Sequence, residues 1–131
     1  MNGRAPKTHV VKGATAKENV LSNQDRPIVL YATFGSLEEA RTIGRALVKA
    51  RLAACVNIFP EIQAIFEWQD KLEEAKEAAM FIKTRSSLEA QVIERVKELH
   101  SYDVPALVVL EFSGGNADYF AWITEQTGPR A

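Results

Sequence analysis

Several things are scarce in this chain, and each scarcity closes off a class of protein. Cys55 is the only cysteine, so no intrachain disulfide framework can form. Neither a C-x-x-C nor an H-x-x-x-H spacing exists from which one subunit could build a zinc site, and His9 and His100 are the only histidines. No apolar run reaches the ~18–20 residues that a membrane span needs, and the N-terminus has no apolar segment of the secretory kind. Net charge is low as well: 16 Lys and Arg against 17 Asp and Glu leave −1, and the basic residues form no stripe with aromatics. No nucleic-acid or membrane partner is therefore expected, and a reducing, cytoplasmic location fits best.

What is present suits one globular domain: 131 residues, of which 47% are apolar. The charge is unevenly placed. Residues 1–26 hold five Lys or Arg against Glu18 and Asp25, whereas residues 27–131 hold eleven against fifteen. With few large apolar side chains, residues 1–26 read as a flexible N-terminal extension, an organellar targeting peptide being the alternative. Residues 27–131 are the expected domain.

That domain turns on Leu52 to Phe59, where a helical pattern gives way to an extended one. Upstream, Ala40, Ile43, Leu47 and Ala50 recur at helical spacing behind a Ser36-Leu37-Glu38-Glu39 capping box, predicting a helix to about Arg51. Before it, Ile28 to Phe34 is a run of strand formers bounded by Pro27 and Gly35. A second strand is predicted over 54–68; Pro60, lacking an amide donor, confines it to a sheet edge or a bulge. Gln69-Asp70 is the tight connection to a third strand, 71–84, polar at first and apolar from Ala78 to Ile82. Ser86-Ser87-Leu88-Glu89 repeats the capping box, and Leu88, Val92, Val96 and Leu99 mark a helical face up to His100. Leu107 to Leu110 make a fourth strand, and Asn116 can cap a last helix carrying Tyr119, Phe120, Trp122 and Ile123.

The order β-α-β-β-α-β-α matches the α+β, ferredoxin-like split βαβ arrangement: a four-stranded antiparallel sheet with both main helices on one face. All four strands carry apolar residues on both parities, so the uncovered face cannot simply meet water. Another copy of the chain is the economical cover.

Four stretches together resemble the CutA family of divalent-cation-tolerance proteins: Ala53 to Asn57, Trp68 before a hairpin turn, Ile82-Lys83-Thr84-Arg85, and His100 to Pro105. The likeness covers about Pro27 to Thr127 in the same order, including Gly115-Asn116 and Tyr119 to Ile123. It implies a cytoplasmic homotrimer, similar in architecture to the PII signalling proteins and linked to tolerance of copper and other divalent metals. Where the family pattern usually reads His-Pro-Tyr-Glu-Val-Pro, Ser101 and Asp103 stand here for the proline and the glutamate. The carboxylate is retained but shortened by one methylene.

Cys55, His100 and Asp103 are the candidate metal donors, since thiolate suits Cu(I) while imidazole and carboxylate suit Cu(II). The competing readings are a core cysteine and a helix-terminating histidine. Trp68, Lys83, His100, Tyr102 and Asp103 are the candidate lining of a ligand pocket between subunits. Lys83 ends an apolar run, so its amine either snorkels to the edge or finds an anion. Trp68 would be an exposed ring in a monomer and an interface anchor in an oligomer. Glu61, Glu67, Glu73 and Glu74 lack the oxygen-rich loop of a calcium site and read as a solvated face. Gly35-Ser36 and Gly114-Gly115-Asn116 match no phosphate-binding fingerprint. A Cys55–His100 thiolate pair has no third orienting group beside it, so no enzyme is expected and no cofactor is required. Two functions remain open: a metal-binding tolerance protein, or a PII-like trimeric signalling or scaffold protein holding a small anion between subunits.

Overall fold

The computed structural model describes residues 25–130. Strand β1 (Pro27–Phe34) leads through helix α1 (Leu37–Lys49) to β2 (Cys55–Trp68) and β3 (Lys71–Arg85). A single 3₁₀ turn (Ser86–Leu88) then opens α2 (Glu89–Leu99), followed by β4 (Leu107–Glu111) and α3 (Ala117–Gln126). The sheet order is β2-β3-β1-β4, antiparallel throughout, as the split βαβ reading requires. The expected flexibility of residues 1–24 lies outside the described residues. Asp25 and Arg26, grouped with them in the sequence, are engaged by the domain: Asp25 pairs with Arg85, and Arg26 with Glu111.

Helix starts follow local chemistry, with changes of partner at two of them. Ser36 Oγ accepts the Glu39 amide at 3.1 Å, as a cap should. The Glu39 carboxylate, however, turns away from the cap to accept the Ser101 amide and hydroxyl. The second predicted capping box does not form. Ser86 Oγ accepts the Arg26 amide, and Asp25 takes the Ser87 amide, so an acid remote in sequence supplies the cap. Asn116 accepts the Asp118 amide at 2.9 Å and caps α3.

Alternation sorts the strands into two faces. Ile28, Leu30, Ala32 and Phe34 of β1 and Ala78, Met80 and Ile82 of β3 meet Ala40, Ile43 and Leu47 of α1 and Val92 and Val96 of α2 in the main core. Thr84, buried there, donates to Leu52 O at 2.7 Å, which removes the cost of hiding its hydroxyl. On the other face Tyr31, Phe59 and Phe81 make ring contacts at 5.5–5.8 Å. There α3 covers one end, packing Ile123 on Ala54 and Cys55 with Tyr119, Phe120 and Trp122 alongside.

As expected from Pro60, β2 is an edge strand, and its register slips between Phe59 and Ile62. β1 pairs β3 only over Ala78–Arg85, so Ile62–Trp68 and Lys71–Glu77 continue as a two-stranded ribbon beyond the main sheet. Gln69 and Asp70 at its tip both have positive φ, 51° and 64°, as a type I′ turn needs.

Candidate functional site

His100 caps α2 with an extended backbone, which turns its ring inward. The ring stacks on Phe34 at 4.9 Å and lies 4.7 Å from the Tyr102 ring. Nδ1 accepts the Tyr102 amide at 3.0 Å, which leaves the proton on Nε2 to be donated to Thr33 O at 2.7 Å. Both ring nitrogens are thus occupied, with the Glu39 carboxylate 3.7 Å from Nδ1. Tyr102 in turn donates its hydroxyl to Glu77 at 2.7 Å. Partial burial, the Glu77 hydrogen bond and the negative charges of Glu77 and Glu39 push the Tyr102 phenol up to about 12. Gly35 sits beneath this phenol: a Cβ there would stand 3.4 Å from the Tyr102 oxygen.

A second constellation lies at the other end of the sheet. Cys55 is the register partner of Lys83, so the two share the face that α3 covers. Lys83 Nζ donates to Tyr119 OH at 3.2 Å and sits 5.2 Å from that ring's centroid. Among the described residues it forms no salt bridge, and its amine reaches past an aromatic neighbour instead. Cys55 is buried, and among the described residues its Sγ reaches only Val56 O and Asn57 Oδ1, at 3.8 and 3.9 Å. The end of α3 is gripped by two guanidiniums: Arg51 donates to Gly128 O and Glu125 O, and Arg85 to Thr127 O and its hydroxyl.

The fold therefore brings His100 to Tyr102 and Cys55 to Lys83 but keeps the two pairs apart. Lys83 faces Val29 across the β1–β3 ladder, while His100 bonds Thr33, four residues further, about 13 Å at the usual strand rise. Asp103 is exposed on the β4 side, in a groove with Lys97, Val104 and Pro105. Trp68 is 62% exposed at the ribbon tip. Among the described residues, no three His, Cys, Asp or Glu side chains gather closely enough to hold a metal. Sequence reasoning missed Glu39, Glu77 and Tyr119 as site neighbours, because a cap, a charged hairpin and an apolar helix each explained them locally.

A split βαβ sheet with two helices on one face and an apolar, largely uncovered second face makes this a ferredoxin-like α+β protein. Its sequence narrows the class: residues 28–126 match the family model of the CutA1 divalent ion tolerance protein, and the chain belongs to that family. It is 45% identical over 100 residues to the divalent-cation tolerance protein CutA of Thermus thermophilus, covering 76% of this chain and 97% of that one. To protein CutA of Homo sapiens it is 40% identical over 97 residues, covering 74% of this chain but only 54% of that longer relative. The solved structure of the Thermus thermophilus divalent cation tolerance protein superposes with a TM-score of 0.75 at 44% identity, over 78% of this chain and 99% of that one.

Proposed function

We propose that this protein contributes to tolerance of divalent metal ions as a non-enzymatic, cytoplasmic homotrimer that binds copper or another divalent cation. The observation that carries the reading is the apolar second face of the sheet, where Phe59, Val108 and Leu110 remain 46, 50 and 44% exposed. Covering that face with further copies also removes the difficulty with the metal. Cys55, His100 and Asp103 do not converge within one subunit, so donors from neighbouring subunits must complete the site. Trp68, Lys83 and Tyr102 then line the space between copies. Binding is weak to moderate, because His100 must give up the Tyr102 amide before Nδ1 can ligate.

Native mass measurement with copper titration tests this. A trimer that binds copper, loses affinity with Cys55→Ser or Asp103→Asn at unchanged mass, and releases metal on acidification as protons compete for the donors, is the expected result. A monomer at micromolar concentration, or binding indifferent to all three donors, would defeat it. The second reading, a PII-like scaffold holding a small anion between subunits, is favoured by one observation: the Lys83 ammonium has the ring and hydroxyl of Tyr119 beside it and, among the described residues, no salt bridge to a carboxylate. Calorimetry with organic anions on the parent and on Lys83→Met separates the two.

A further inference from the structure

The metal and assembly reading makes no use of a groove on the helix-covered side, between α1 and the edge strand β2. Gly44 and Val48 of α1 and Val56 and Ile58 of β2 form its floor, and Arg41, Arg45 and Lys49 form its rim, around about 390 Å³. The three cations recur every four residues, so they line one side of the helix over about 12 Å. Gly44 is what lets the helix lie this close: a Cβ there would meet Val56 Cγ2 at 2.9 Å.

An ordinary reading is that three long side chains lay their stems over a helix–sheet seam. Two observations favour a ligand site over that. Val48 remains 39% exposed despite cationic stems on both sides, so the apolar floor is not covered from within. Like charges at i,i+4 destabilise a helix, and among the described residues no acid lines the groove to offset them. Among the described residues, Arg45 alone of the three has an ion pair, an exposed one with Glu38 at 3.8 Å. This local excess of positive charge stands out in a domain where acidic residues outnumber basic ones fifteen to eleven.

We propose that this groove binds a small amphiphilic anion, an aliphatic chain ending in a carboxylate. The chain lies on Gly44, Val48, Val56 and Ile58, and the carboxylate is held by the guanidiniums of Arg41 and Arg45, whose fork geometry matches it. A floor with no polar side chain leaves the edges of a heterocyclic base unpaired, which selects an alkyl chain over a nucleotide. The volume of this open groove lies in the range of small-ligand pockets.

Sodium decanoate titrated into the isotope-labelled full chain, followed by backbone amide shifts, tests the site. The expected result is saturable shifts centred on Gly44, Val48, Val56 and Ile58, with decanol and acetate each binding at least tenfold more weakly. An Arg41→Glu, Arg45→Glu double variant with unchanged circular dichroism should lose at least tenfold in affinity. Equal response to decanol and decanoate, shifts spread over the other sheet face, or no effect of the double variant would overturn the proposal. A change of native mass in that variant, with no decanoate binding by the parent, would make the groove a contact between copies and also overturn it.

Discussion

On one side of the sheet Ile28, Leu30, Ala32 and Phe34 are wholly sealed, while on the other Val29 and Thr33 keep 8% exposure and Val108 and Leu110 about half. The two faces differ little in apolar character. Their fates diverge because right-handed crossovers send α1 and α2 to the same side, and α3 reaches only the end near Cys55. Apolar residues on the first face therefore specify the subunit. Those on the second stay partly exposed in the subunit, which is the surface the proposed assembly would bury.

Removing a side chain from each face should separate these roles. Phe34→Ala deletes a fully buried ring and the stacking partner of His100, so urea unfolding should show a loss of about 3–5 kcal/mol. Val108→Asp with Leu110→Asp on the open face should leave the circular dichroism intact yet reduce the native mass to that of a monomer. An unchanged mass would remove that face from the proposed interface. Asp25→Ala, at the margin of the core, should cost about 1 kcal/mol through the lost Ser87 amide bond. Burial raises the Asp25 carboxyl, but Ser87 and Arg85 outweigh it and hold the group below its ordinary value. Its contribution is therefore present above pH 3.8 and vanishes as acid takes the pH through the lowered value, so parent and variant should converge there. The smallest effect is at Tyr102. Its phenol, at about 12, adds stability that is complete below pH 10 and lost as the pH rises through 12. Glu77→Gln should lower that titration, read as ultraviolet absorbance against a Tyr102→Phe reference.

Much of this arrangement was legible in the residues themselves. Pro60 announced an edge, Ser36 and Asn116 announced helix starts, and apolar parity announced a second face needing cover. What escaped was whatever depends on register between distant segments. Glu39 met the criterion for a capping box, yet the loop after His100 arrives beside it with a better pair of donors in Ser101. Asp25, in a stretch too polar to form a core, lands 2.6 Å from Arg85 only because β1 and β3 pair as they do. Cys55 and His100 both looked available as ligands, and only the ladder reveals that strand length keeps them apart.

The tip of the β2–β3 ribbon carries a consequence for how the chain comes together. Its left-handed turn is made by Gln69 and Asp70 without a glycine, so the turn holds a conformation that Asp70 tolerates and Gln69 does not favour. Such a loop is a weak nucleus for a hairpin. Order is expected to start at the root, where Ala78 to Ile82 seat against β1, and to run outward like a zip. Opening follows the same line in reverse, so amide exchange should be fastest beside Trp68 and slow progressively toward Cys55.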